Sequence, residues 1–157
     1  MSDKKQTVIA KKAYELLCRT IDGIGWEYEK EDDGLCVHFG VEGKDISIYF
    51  IIVTDIERQL VRLMAPIPVI LSESKRIEVA VALCHTNLGL PDGSFDIDLS
   101  EGKVGFRMAA SIRESSIGKG LFQYMLEYTC VVMEKYGRKI LALEKGDISL
   151  DEFMEEK

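Results

Sequence analysis

The chain has 157 residues, 46% of them hydrophobic and 30% charged, with 13 Gly and 3 Pro. That is room for one domain of ordinary globular composition, and it excludes disordered and collagen-like classes. Its 27 Asp and Glu against 20 Lys and Arg leave a net charge of -7 with no clustered basic face, so neither a nucleic acid nor an anionic membrane is an expected partner.

No apolar window reaches the length of a signal peptide core or of a membrane span. The 4 cysteines, Cys18, Cys36, Cys84 and Cys130, lie far apart with no CxxC. Free thiols and a cytoplasmic location are expected.

In chain order, the first predicted element is an amphipathic helix over residues 4–21. Ile9, Ala13, Leu16, Leu17 and Ile21 recur at helical spacing, Lys11, Lys12, Glu15, Arg19 and Asp22 share the wet arc, and Gly23 and Gly25 end it. Alternation then predicts two strands about an Asp33-Gly34 turn. The first sets Trp26 and Tyr28 against Glu27 and Glu29; the second sets Leu35, Val37, Phe39 and Val41 against Cys36, His38 and Gly40. The next strand is apolar on both faces, Ile46, Ile48, Phe50 and Ile52 on one, Tyr49, Ile51 and Val53 on the other, as in a central strand. A fourth, over residues 58–65, is expected to stop at Pro66 and Pro68, which cannot donate to a ladder.

Ser72 is the expected N-cap of a second helix, whose Ile77, Ala80, Val81, Cys84 and Leu88 form one narrow stripe that reads as its core side. A clear hairpin follows, alternating Phe95, Ile97, Leu99, Val104, Phe106 and Met108 with Asp96, Asp98 and Arg107 about a Ser100-Glu101-Gly102 turn. A long helix is predicted over residues 116–136, ended by Gly137, then a continuation over 138–145. A short helix opened by the capping box Ser149-x-x-Glu152 comes last. One domain is placed at 1–146, with 147–157 as a C-terminal capping helix. The order α-β-β-β-(β)-α-β-β-α predicts an α+β fold, a curved antiparallel sheet with helices packed on it.

Catalytic, metal and cofactor residues are not expected. Cys36 and His38 share a strand face and Cys84 adjoins His85, but a Cys2His2 zinc site needs all four aimed at one point, and neighbouring helical residues diverge by about 100°. Gly118-Lys119-Gly120 resembles part of a phosphate loop, yet Arg113 stands where that motif needs glycine and Gly120 where it needs Ser or Thr. Asp96 and Asp98, and the Glu31-Asp32-Asp33 turn, lack the spacing of a calcium loop.

The informative feature is an apolar surplus. Tyr49, Ile51, Val53, Leu60 and Met64, with a second stripe of the long helix at Leu121, Met125, Tyr128 and Val132, exceed what one helix layer over one sheet requires. They read equally as a thicker core or as an interface.

The runs Ala82-Leu83-Cys84-His85-Thr86-Asn87, Gly93-Ser94-Phe95-Asp96-Ile97-Asp98 and Gly102-Lys103-Val104-Gly105-Phe106-Arg107 resemble the YbjN-like family, over roughly residues 19–136. Its members are described as bacterial sensory transduction regulators and look like type III secretion chaperones in fold. The resemblance implies a non-catalytic regulatory domain, a homodimer, and a protein or peptide partner. Asn87 falls on the shared motif, with a structural role bonding backbone at the helix end. The alternative is a small-molecule binder or an enzyme using a pocket on the concave sheet face, with Cys36, His38 and Tyr49 as its polar groups.

Overall fold

The alternation in residues 35–55 and 94–111 becomes one six-stranded antiparallel sheet in the computed structural model, which describes residues 3–114 and 117–155. The chain runs α1 (Asp3–Ile24), β1 (Glu29–Glu31), β2 (Cys36–Glu42), β3 (Ser47–Asp55), β4 (Leu60–Ile70), α2 (Arg76–Gly89), β5 (Ser94–Asp98), β6 (Lys103–Ser111), α3 (Lys119–Val132), α4 (Arg138–Lys145) and α5 (Leu150–Glu155). Strand order is β1-β2-β3-β4-β6-β5. The expected α+β architecture holds.

Period-2 alternation sorts the strands into two faces. Val37, Phe39, Ile48, Phe50, Ile52, Val61, Leu63, Phe106 and Met108 are buried beneath the helices. α1 crosses this face and α3 lies over β6, where Thr129 donates to Met108 Sδ at 3.5 Å. Among the described residues no helix covers the opposite face.

Four elements depart from the sequence reading. β1 is only 3 residues long, because Trp26 leaves the strand line to pack its ring on Phe39 and Phe50, 5.7 and 6.1 Å between centroids. β4 runs past both prolines to Ile70, yet its ladder with β3 ends at Ile51↔Met64. The pairing register turns the even-numbered β4 residues toward β3, so Pro66 and Pro68 remove N–H groups on that side, while pairing with β6 on the other runs to Pro66↔Gly105 and resumes at Ile70↔Lys103 after a shift in register.

The stripe of α2 lies outward instead of in the core. Val79, Ala82, Leu83 and Thr86 are its buried residues, while Ile77, Val81 and Leu88 are 66%, 46% and 87% exposed and Cys84 is exposed. Both sides of this helix are apolar, so periodicity alone did not say which one the sheet takes. Nor does Ser72 cap α2 with its hydroxyl; its own N–H donates to Glu144 Oε1 at 2.9 Å.

α3 begins at Lys119, and the predicted start at Ser116 lies outside the described residues. Gly137 does not end the helix, since Met133–Gly137 form a π-helical turn leading directly into α4. A Cβ at Gly137 would lie 2.9 Å from Ile46 Cδ1 and 3.4 Å from Ile67 Cδ1. The glycine admits those side chains rather than breaking the helix. At the C-terminus the capping box forms reciprocally, Ser149 N–H to Glu152 Oε2 at 2.7 Å and Glu152 N–H to Ser149 Oγ at 3.2 Å. It starts α5, whose Phe153 is buried.

Candidate functional site

The helix-free face collects much of the apolar surplus. Registers His38↔Ile51↔Met64↔Arg107 and Cys36↔Val53↔Arg62↔Ala109 run across four strands. Tyr49, 43% exposed, and Met64, 39% exposed, flank half-buried Ile51 and Val53, with Leu60 on the same face. Charged pairs rim this centre: Arg62 and Arg58 on Asp55 at 3.5 and 2.9 Å, Arg107 on Asp96 at 2.6 Å. The backbone N–H of Arg58, 2.8 Å away, is the main reason the Asp55 carboxyl lies below its ordinary range. Charge around an apolar middle is the layout of a protein-binding patch.

The second predicted stripe separates. Met125 and Val132 are buried in the chain's own core, 2% and 3% exposed, and Leu121 and Tyr128 pack against it half-buried. α1 lies alongside α3 and closes over that side. The long-helix half of the surplus is therefore thicker core, while the sheet half is surface.

Cys36, His38 and Tyr49 do share the open face. His38 Nδ1 and Tyr49 Oη are hydrogen-bonded at 2.8 Å, and His38 Nε2 lies 3.7 Å from both Glu29 Oε2 and Glu31 Oε1. The Cys36 thiol lies close to the Val37 carbonyl, 3.8 Å away, and burial pushes its pKa up, away from the thiolate a nucleophile needs. Among the described residues no group of three or more His, Cys, Asp or Glu could hold a metal ion. No helix among them is long and apolar enough to cross a membrane.

Asn87 closes one border of the sheet. Its Nδ2 donates to Phe95 O at 3.0 Å and its Oδ1 accepts from Phe95 N–H at 2.8 Å, so both outward groups of that residue on edge strand β5 are taken. The side-chain amide stands in for a neighbouring strand. Arg76 Nη1 secures the end of the same edge through the carbonyls of Leu99 and Ser100, 3.0 and 2.8 Å away. Sequence reasoning picked Asn87 but missed two features. The outward stripe of α2 carried its signal as spacing and was assigned to the wrong side; the grip of Glu134 on the β2–β3 turn, accepting from the N–H of Lys44 and Asp45 at 2.6 and 3.2 Å, carried none.

A six-stranded antiparallel sheet with helices over one face, and no described element over the other, defines an open-faced α+β domain. The structure is similar to the ExsC–ExsE complex, TM-score 0.60 at 18% identity over 82% of this chain and 93% of that one. It is also similar to YbjN from E. coli, TM-score 0.59 at 13% identity, covering 87% and 94%. The sequence matches the YbjN family model, "Putative bacterial sensory transduction regulator", over residues 13–142. The chain belongs to the YbjN family. No match is found among curated proteins. The two structures share the fold of this chain, and the family model's description is that of a regulator.

Proposed function

We propose that this chain is a non-catalytic, cytoplasmic regulator that acts as a homodimer and holds a protein partner on its bare sheet face. The observation that carries the reading is that face: Tyr49, Ile51, Val53 and Met64 form one patch that no element of the chain's described residues covers. A complex between two proteins in the similar ExsC–ExsE structure supports the same use. The second copy belongs on α2. Ile77, Val81, Cys84 and Leu88 are spaced 4, 3 and 4 apart along its exposed side, the spacing of a coiled-coil seam, and a seam of this kind packs on its own copy about a two-fold axis.

Light scattering at micromolar concentration tests the assembly. A mass near twice 17.7 kDa is expected, falling to 17.7 kDa in Val81→Glu; a strict monomer in the unaltered chain overturns the dimer. Ile51→Glu tests the face. It is expected to leave the core and the dimer intact while abolishing capture of proteins that the unaltered chain retains from its own lysate, and equal capture by both overturns the reading.

A further inference from the structure

We propose that the edge of β2 at Gly40 and Glu42 takes up a short, basic, extended segment of a partner protein as an added strand continuing the line of β1. This rests on the protein-binding reading above and narrows it to one edge and one chemistry.

The ladder fixes which groups are on offer. Thr54 N–H donates to Leu35 O at 3.0 Å and Gly43 N–H to Ile46 O at 3.1 Å, so the odd-numbered residues of β2 turn their backbone groups toward β3. The even-numbered ones turn away from it, as antiparallel alternation requires. β1 pairs Cys36 and His38 through Glu31 and Glu29, and there it ends. The outward N–H and C=O of Gly40 and Glu42 have no strand partner among the described residues. At the opposite edge, Asn87 occupies Phe95 and Arg76 holds the Leu99 carbonyl, which leaves only Ile97 between them. Of the two borders, the β2 edge is the one left open to a strand.

The surroundings set the partner's chemistry. A cavity of about 440 Å³ adjoins the edge, with Glu27, Glu29, Gly40 and Tyr49 in its wall. Glu27, Glu29, Glu31 and Glu42 are all exposed, and Gly40 offers no side chain to hold an incoming backbone away. Residues of the added strand that face outward would meet those carboxylates; those that face inward would meet Val41. Lys or Arg alternating with an apolar residue fits both. A second copy of this edge does not, since it would set the same carboxylates against one another.

The test titrates acetyl-Lys-Val-Lys-Val-Lys-amide, with acetyl-Glu-Val-Glu-Val-Glu-amide beside it, into the full chain while backbone amide signals are followed. The basic peptide is expected to shift the Gly40 and Glu42 amides and to lose affinity with added salt, and the acidic one to do neither. Gly40→Pro removes one outward N–H at an edge position where proline is tolerated, and is expected to weaken binding about tenfold. Should that variant fail to fold, reversal of exposed charges in Glu27→Lys with Glu42→Lys is expected to move the preference to the acidic peptide. Equal response to both peptides, or unmoved Gly40 and Glu42 signals, overturns the proposal. Shifts confined to Tyr49, Ile51 and Met64 overturn it while leaving the protein-binding reading standing. Loss of that reading itself shows in the Ile51→Glu capture experiment.

Discussion

Asn87 concentrates the most structural work in one side chain. A primary amide presents one donor edge and one acceptor edge, the same pair that a peptide unit offers, so it closes both groups of Phe95 at once. Removing both bonds in Asn87→Ala, each worth about 0.5–1.5 kcal/mol net, is expected to lower the unfolding free energy by about 2 kcal/mol in urea titration. The freed edge is also expected to raise the tendency to self-associate. A variant as stable as the parent would show that water replaces the amide at no cost. The sequence reading named this residue and its backbone partnership but placed the partner at the helix end. The true partner is the following strand, reached across the turn that contains Asp92-Gly93, and nothing local in the sequence encodes that distance.

At the scale of elements, the β2–β3 turn shows how a helix irregularity is put to use. Glu134 lies in the π-helical turn and binds the amides of Lys44 and Asp45, while Arg138 Nη1 lies 3.2 Å from Asp45 Oδ2. A Cβ at Gly43 would collide with both the Glu134 carboxylate and the Ile46 carbonyl oxygen. Gly43→Ala is therefore expected to cost about 1–3 kcal/mol, as overpacking of a closed site does, measured by thermal or urea unfolding. An unchanged midpoint would mean the turn shifts freely. Hairpins and their faces were legible in the sequence because a period of 2 fixes the inner side once one strand is placed. α2 was not, since Ile77, Val81, Cys84 and Leu88 form as good a stripe as Val79, Ala82, Leu83 and Thr86. Only the packing of the smaller set against the sheet margin and α5 tells them apart.

For the whole molecule, charge enters through acid stability. The carboxyls of Asp55, Asp98 and Glu152 lie below their ordinary values of 3.8, 3.8 and 4.5, chiefly through the Arg58 amide, the Ser100 hydroxyl and the Ser149 amide respectively. A group lowered in the fold binds protons more readily when unfolded. Its stabilisation is complete above the ordinary value and is lost as pH falls through the folded one. The urea midpoint is expected to hold from about pH 7 to about pH 5 and to drop below about pH 4, with a shallower drop in Asp55→Asn. A midpoint that rises on acidification, as relief of the net charge of -7 alone would produce, contradicts this. Composition conveyed that charge and the apolar surplus at once. The division of the surplus between core and bare face needed the third dimension, because α1 returns over α3 while nothing in the described chain returns over the far side of the sheet.

Pro66 and Pro68 have a mechanical consequence. β3 and β4 are stitched from Asp55↔Leu60 to Ile51↔Met64 and no further. β1 to β3 and β4 to β6 thus form two leaves sharing a short spine. At the unstitched end the spacing between leaves is set from beneath, by Ile46 and Ile67 seated against Gly137. A pull on one leaf there reaches the other through side chains and the helix turn below rather than through backbone, which couples the angle of the sheet to the π-helical turn between α3 and α4.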